Sequence, residues 1–181
     1  MEIGTRSLLF GVHQFIWHPI TVYIAWIKLY GKLPTWKETI CIIIHDWGYW
    51  GKPNMDGEEG EKHPEAAANM VYRLLGFEYY LLCLLHSRHY ARRLGREPSR
   101  LCWADKLSCL YEPAWFYLFR ARLSGELKEY RKVAADTGFM PLSASDREWF
   151  VWIKARQVKL GKEQRNSVAY ANPARNGSEG F

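Results

Sequence analysis

The stretch Ile40-Cys41-Ile42-Ile43-Ile44-His45-Asp46 brings an imidazole and a carboxylate to the end of five consecutive apolar residues. An apolar run of this kind predicts the buried end of a helix or a strand. Burying both polar groups without partners would cost several kcal/mol. A divalent cation satisfies both groups at once. We therefore interpret His45 and Asp46 as part of a metal site inside the fold.

The segments around this pair have the features of helix ends and no convincing strand alternation. Thr35 and Glu38 form a capping box that begins the helix leading to His45. A second capping box, formed by Ser145 and Glu148, begins a last helix that should end near Leu160. Prolines and glycines delimit the other predicted helices: 7–17, 19–30, 64–75, 78–93, 99–111 and 113–123. The expected fold class is an all-α helical bundle.

Length and composition predict one folded domain. The chain has 181 residues, of which 48% are hydrophobic and 15% aromatic, so it can bury one sizeable core. We expect a single helical domain over residues 1–160, with a motif-bearing core at about 10–111 and a helical extension over 112–160. Residues 161–181 are rich in Asn, Gly, Ser, Lys and Arg, which predicts a flexible tail.

Charge, cysteines and hydropathy limit the class of protein. The net charge of +6 suits anionic ligands such as phosphates or nucleic acid, and equally suits plain solubility. The four cysteines lie in apolar stretches without a Cys-x-x-Cys pair, which indicates buried free thiols rather than a zinc ribbon. The chain shows no signal-peptide pattern, and its longest weakly charged stretch, 14–27, is too short and polar to span a bilayer. We expect a cytoplasmic protein.

Histidines and aspartates recur on both sides of the central pair, at or near the ends of predicted helices. The candidate metal ligands are His18, His45, Asp46, His63, His86 and Asp105, with His89 and His13 in reserve. His86 and His89 are three residues apart, so on one helix they would share a face. A mixture of imidazole nitrogens and carboxylate oxygens suits Mn, Fe, Co, Ni, Mg or Zn.

The order of these residues resembles that of the HD superfamily of metal-dependent phosphohydrolases. Ile43-Ile44-His45-Asp46-Trp47-Gly48 resembles the central HD-x-G motif of that family. Four further segments are similar to other family motifs: His18 with Val22 and Ala25, His63-Pro64-Glu65-Ala66, Leu84-Leu85-His86, and Ala104-Asp105-Lys106-Leu107. The resemblance covers about residues 10–111 and does not extend to the helical extension.

The resemblance implies a helical bundle with a metal site at its centre. His18, His45, Asp46 and Asp105 would hold a first divalent ion. His63 and His86 would hold a second, with Asp46 bridging the two. The implied activity is hydrolysis of a phosphate ester of a nucleotide or related small molecule by a metal-activated water.

Two departures from the family pattern bear on the substrate. Tyr49 stands where the cyclic-dinucleotide branch usually has a lysine, and the Gly-Tyr-Pro signature of that branch is missing after His86. The segment Trp47–Trp50 contains no acidic residue, whereas the branch that removes pyrophosphate from alarmones has an acidic pair there. Both substrate classes are therefore less favoured.

Catalytic side chains besides Asp46 are expected near the ligands. Arg88 and Lys106 could hold phosphate oxygens. The alternative is that they belong to a solvated basic helix face. Glu65 is the first candidate for a general acid because it lies two residues after His63, and Glu59 and Asp56 are alternatives.

Other functions remain open at this point. One alternative is a phosphodiesterase that acts on cyclic nucleotides or short oligonucleotides. Another is a non-catalytic binding protein that a metal stabilises, with its basic tail touching nucleic acid. The expected partner is a small phosphorylated substrate, with no membrane and with nucleic acid less favoured. An aromatic block over 111–119 is either core or an oligomer contact, so a homo-oligomer is also possible.

Overall fold

The computed structural model describes the backbone of residues 1–171 and the side chains of residues 1–164. That part of the chain contains ten α-helices and no β-strand, which confirms the all-α prediction. The helices are α1 (Ile3–Phe10), α2 (Trp17–Tyr30), α3 (Trp36–Ile44), α4 (His63–Leu75), α5 (Phe77–Leu84), α6 (Arg88–Arg93), α7 (Arg100–Ser108), α8 (Ala114–Ser124), α9 (Glu126–Asp136) and α10 (Asp146–Ala171). Three short 3-10 helices connect them: Trp47–Tyr49, Gly60–Lys62 and Cys109–Tyr111.

Both predicted capping boxes are present. The Thr35 side chain accepts a hydrogen bond from the backbone N–H of Glu38, whose carboxylate accepts one from the Thr35 N–H. Ser145 and Glu148 make the same reciprocal pair at the start of α10. These contacts satisfy backbone donors that the first turn of a helix leaves without partners.

Two predicted helices differ from the structure. The helix predicted over 7–17 spans Ile3–Phe10, and the helix predicted over 78–93 is divided into α5 and α6. In the break, Ser87 caps α6 by accepting a hydrogen bond from the backbone N–H of His89. His86 therefore lies in a turn, and it does not share a helix face with His89.

The last helix is also longer than predicted. α10 passes the expected end near Leu160 and continues to Ala171. Residues 161–171 of the predicted tail are thus helical, and 172–181 lie outside the described residues.

Two clusters of buried side chains make up most of the core. The first is formed by α2, α3, α4, α5, α6 and α7, and it includes Trp26, Ile42 and Leu101. The second lies in the extension, where Tyr117, Trp149 and other side chains of α8, α9 and α10 pack together. α10 also packs against α7, so the extension adjoins the helices of the first cluster.

The structure also bears on the predictions about the cysteines and about membrane-spanning segments. All four cysteines are buried and free of disulfides, as predicted. Within residues 1–171, none of the helices combines the length and apolar composition needed to cross a bilayer.

Candidate metal centre

Five separate elements bring the six predicted ligands to one place. His18 lies in the first turn of α2, and His63 is the first residue of α4. His45 and Asp46 follow α3 directly, and His86 follows α5. Asp105 projects from α7. Helix ends thus provide most of the donors, because a side chain at a helix end can reach the centre of the bundle.

The first group of donors consists of His18, His45, Asp46 and Asp105. The Nε2 atom of His18 lies 3.1 Å from Asp46 Oδ2 and 3.2 Å from Asp105 Oδ1. The Nε2 atom of His45 lies 3.2 Å from the same Asp46 oxygen. All four donor atoms lie within 4.8 Å of one another, so they could hold one metal ion.

The second group consists of Asp46, His63 and His86. The other carboxylate oxygen of Asp46, Oδ1, lies 3.5 Å from His63 Nε2 and 3.4 Å from His86 Nε2. Asp46 thus directs Oδ2 toward the first group and Oδ1 toward the second. The two groups could hold two metal ions that share this carboxylate.

Backbone carbonyls fix the orientation of three of the imidazoles. The Nδ1 atoms of His45 and His63 lie 2.8 and 2.7 Å from the carbonyls of Ile42 and Gly60, each three residues earlier. His86 Nδ1 makes the same contact with the carbonyl of Cys83 at 2.5 Å. Because a carbonyl only accepts, each Nδ1 carries a proton, and in the neutral imidazole Nε2 presents a lone pair to the centre. Metal-binding histidines are oriented in this way.

The contact between His63 and His86 fits a cation. Their Nε2 atoms lie 2.9 Å apart. With both protons on Nδ1, two lone pairs face each other and repel. A positive ion or a proton between them turns this repulsion into attraction. The pair is therefore arranged for a cation rather than for packing.

All six side chains are buried. His45 is fully enclosed, and Asp105, the most accessible of the six, is 7% exposed. Although the Nε2 atoms of His18 and His45 lie 3.1–3.2 Å from Asp46 Oδ2, none of these three atoms makes a well-aligned hydrogen bond in the protein. Each such buried atom costs about 1–3 kcal/mol. One ion placed among these three atoms could satisfy them together.

The electrostatics of the centre also favour positive charge. Burial lowers the pKa of His45, but the carboxylates of Asp46 and Asp105 outweigh this effect and raise it to about 10. Burial likewise raises the pKa of Asp46, yet the surrounding imidazoles hold it well below its usual range. Carboxylates that stabilise an imidazolium stabilise a metal cation for the same Coulombic reason. Burial and the neighbouring His86 lower the pKa of His63, which keeps that imidazole neutral for ligation.

A glycine allows the His-Asp turn to approach α4. A Cβ atom on Gly48 would lie 1.9 Å from the backbone carbonyl oxygen of His63. The neighbouring Tyr49 stacks on the His63 ring, with the centroids 3.8 Å apart and the planes 12° from parallel. The glycine and the tyrosine together set the distance between His63 and Asp46.

The cationic candidates lie beside the centre. Lys106 Nζ donates to Asp105 Oδ2 at 2.9 Å, and this carboxylate raises the pKa of Lys106. Arg88 is exposed, and together with Lys106 it lines a cavity of about 110 Å³ above the donor groups. Both residues are therefore within the cleft that a ligand of the centre would enter.

The acidic candidates are distributed differently. Glu65 is exposed, accepts a hydrogen bond from the Tyr90 hydroxyl, and does not line the cleft. Glu59 is also exposed and pairs with Lys52 and Lys62. Asp56 does line the cleft, so of the three predicted general-acid candidates it is the one near the donor groups.

The reserve ligands line the cleft without joining either donor group. His89 lies in its wall. The Nδ1 atom of His13 lies 2.9 Å from Glu126 Oε1, and the His13 ring lies 5.1 Å from that of His18. Glu126 is not among the candidates from the sequence, because its segment, 126–132, is rich in charged residues and such segments are usually solvated. Glu126 is instead fully buried, and no local pattern in the sequence indicates this.

No known family model matches the chain, and no curated protein or solved structure compared with it matches either. The likeness to the HD superfamily therefore rests on the motif residues and on the buried centre that they form. A helical fold with buried His and Asp side chains that could bind metal is compatible with an HD domain.

Proposed function

We propose that the protein is a metal-dependent phosphohydrolase that cleaves a phosphate ester of a nucleotide or a related small molecule. The observation that carries the proposal is the position of Asp46, with one carboxylate oxygen in each of two buried donor groups. Two divalent ions held side by side suit phosphoryl transfer, because they can stabilise both the attacking and the leaving oxygen.

Each donor group has a defined part in this proposal. His18, His45, Asp46 and Asp105 would hold one ion, and His63, His86 and Asp46 would hold the other. When bound, the ions polarise the phosphoryl oxygens and lower the pKa of a water molecule toward neutrality. The carbonyl contacts of the imidazoles keep the donor atoms in place, so no reorganisation is needed when the substrate arrives.

The cleft side chains act on the substrate. Lys106 and Arg88 offset the charge that develops on the phosphoryl group. Lys106 is held beside the centre by Asp105. Asp56, which lines the cleft, is better placed than Glu65 to protonate the leaving oxygen.

Metal content and turnover test the proposal together. Bound metal is measured by mass spectrometry of purified protein, and phosphate release is measured on a panel of nucleotides and sugar phosphates with each candidate ion. We expect two ions per chain. Asp46→Ala should lose both ions and lower turnover roughly 1,000-fold or more, since the ions supply several kcal/mol of transition-state stabilisation.

The matched control is Asp136→Ala. Asp136 is exposed and pairs with Lys132, so the same substitution there should leave metal content and turnover unchanged. Circular dichroism should show similar helicity in both variants. Linear products from cyclic nucleotides, without free phosphate, would favour the phosphodiesterase alternative. Two bound ions without turnover of any ester would favour the non-catalytic binding protein.

A further inference from the structure

A larger cavity opens beside the metal centre. Its volume is about 340 Å³, which lies in the range of small-molecule sites of about 300–1,000 Å³. At one end it shares six lining residues with the cleft above the donor groups: His13, Tyr49, Asp56, Arg88, Asp105 and Lys106. A ligand could therefore occupy both spaces at once, with its anionic end toward the metal groups.

The other end of the cavity is built by the helical extension. Its walls are largely aromatic and come from α8, α9, α10 and the α9–α10 connection: Tyr117, Tyr130, Phe139, Trp149 and Trp152. None of these residues belongs to the two donor groups. The extension thus contributes to this site without contributing to metal binding.

The aromatic end is built from stacked rings and carries a cation. The rings of Tyr130 and Trp149 stack on each other, with their planes 9° from parallel and their centroids 6.2 Å apart. The Arg156 guanidinium lies 4.3 Å from the centre of the Phe139 ring and 5.4 Å from that of Trp152. Because these faces contact each other or the Arg156 guanidinium, a ligand meets mainly ring edges, and a planar ring packs against such edges better than a flexible aliphatic chain does.

Two polar atoms at this end lack partners. The indole N–H of Trp149 and the Oε1 atom of Gln157 are buried and have no hydrogen-bond partner in the protein. Both residues line the cavity, and Trp149 is only 3% exposed. An unpaired buried donor and acceptor each cost about 1–3 kcal/mol. A ligand with ring heteroatoms could satisfy both, whereas a hydrocarbon ring could satisfy neither.

We propose that this cavity binds the organic half of the substrate and selects a planar heteroaromatic ring with both a hydrogen-bond acceptor and a donor. The Trp149 N–H donates to the ring, and Gln157 Oε1 accepts from it. The phosphate of the same molecule lies toward Lys106 and the donor groups. This inference rests on the proposed function for its account of the phosphate end, but the ring subsite can be tested without catalysis.

The first experiment measures binding without a phosphate. Adenosine, cytidine and ribose are titrated into the metal-loaded protein by isothermal titration calorimetry. At least one nucleoside should bind, and ribose should not. Trp149→Phe, which keeps an aromatic ring and removes the N–H, should weaken that binding about 2–10-fold, as expected for one lost hydrogen bond. Trp115→Phe is the matched control, because Trp115 is 72% exposed and does not line the cavity.

The second experiment compares two esters that differ in the ring. Ribose 5-phosphate and the 5′-monophosphate of the nucleoside bound most tightly share the sugar and the phosphate. The nucleotide should have the lower KM, and Trp149→Phe should raise that KM while leaving its kcat and the KM of ribose 5-phosphate unchanged. Gln157→Leu should act in the same direction.

The outcomes separate the subsite from the chemistry. Hydrolysis of both esters with equal KM, or a Trp149→Phe effect equal on both, would overturn the subsite and leave the proposed function standing. Nucleoside binding that depends on Trp149, without hydrolysis of any ester, would support the subsite and count against the proposed function. Absence of nucleoside binding would overturn the subsite whatever the activity.

Discussion

Replacing Glu126 by Gln should destabilise the protein although it changes only one atom of the side chain. The Glu126 carboxylate is fully buried at the junction of the extension with the first helices. It accepts hydrogen bonds from five groups: Ser7 Oγ, Val12 N, His13 Nδ1, Ser124 Oγ and Tyr130 Oη. It therefore ties α1 and the following turn to α8 and α9.

The size of the effect follows from these donors. Hydrogen bonds to a charged group contribute about 1.5–3 kcal/mol each, against about 1 kcal/mol for neutral pairs. In the Glu126→Gln variant the amide N–H₂ must occupy one oxygen position. If the amide N–H₂ faced Val12, it would meet the Val12 N–H, and two donors would oppose each other. The amide should therefore turn toward Ser7 and Tyr130, whose hydroxyl oxygens can accept a hydrogen bond. We expect a loss of roughly 2–4 kcal/mol, which lowers Tm by roughly 5–15 °C for a chain of this size.

The pH dependence of this loss has a defined sign. Burial raises the pKa of Glu126, but the hydrogen bonds from His13, Ser124 and Ser7 lower it below its ordinary value of 4.5. A carboxyl whose pKa is lowered in the folded state stabilises the fold above its ordinary pKa and loses this contribution as the pH falls. The difference between wild type and Glu126→Gln should therefore be full at neutral pH and shrink below about pH 4.5.

Urea unfolding followed by circular dichroism at pH 7 and pH 4 measures this difference. Glu97→Gln is the control, because Glu97 is exposed and the same substitution there should change stability by less than about 0.5 kcal/mol. A Glu126→Gln variant as stable as wild type at pH 7, or one whose deficit grows in acid, would refute the reasoning.

Three further predictions concern the metal centre. Removing metal with a chelator should lower the Tm measured by differential scanning calorimetry. Restoring a divalent ion at about 100 times its Kd should recover about 2.7 kcal/mol of stability. An unchanged Tm would argue against an ion in the core. Gly48→Ala should reduce bound metal and stability, because the new methyl group meets the His63 carbonyl; metal content equal to wild type would show that α4 can move away freely. Lys106→Gln should lower kcat about 10–100-fold with metal content retained, and loss of metal instead would assign Lys106 to holding Asp105.

Much of the fold was predictable because helix ends have local causes. The capping boxes at Thr35 and Ser145 were predicted from residue type and spacing alone, and both are present. The early end of α1 has a cause that is not local. α1 ends early at a turn where the Val12 N–H bonds to Glu126, more than a hundred residues away. Such a contact leaves no periodic trace in the sequence.

The candidate donors could be predicted for a different reason. His45 and Asp46 follow an apolar run, where unpartnered polar groups are costly, so their presence requires an explanation. The order of the candidate donors along the chain could also be compared with the motif order of the HD superfamily. The only sequence feature that favours Glu65 as a general acid is its closeness to His63 along the chain. In the structure its side chain is exposed and pairs with Tyr90, because residues two apart on a helix point in different directions.

The extension is a part of the site that motif order could not predict. α10 packs against α7, the helix that carries Asp105, and the Glu126 carboxylate holds His13 beside His18. The donor groups therefore depend on residues 112–160 for their surroundings, although they take no donor from them. If the extension determines which organic group enters the cleft, substitutions there should change the choice of substrate while metal content stays constant. Substitutions among the donors should change metal content first and all substrates equally. This difference in response separates the two parts of the site by experiment.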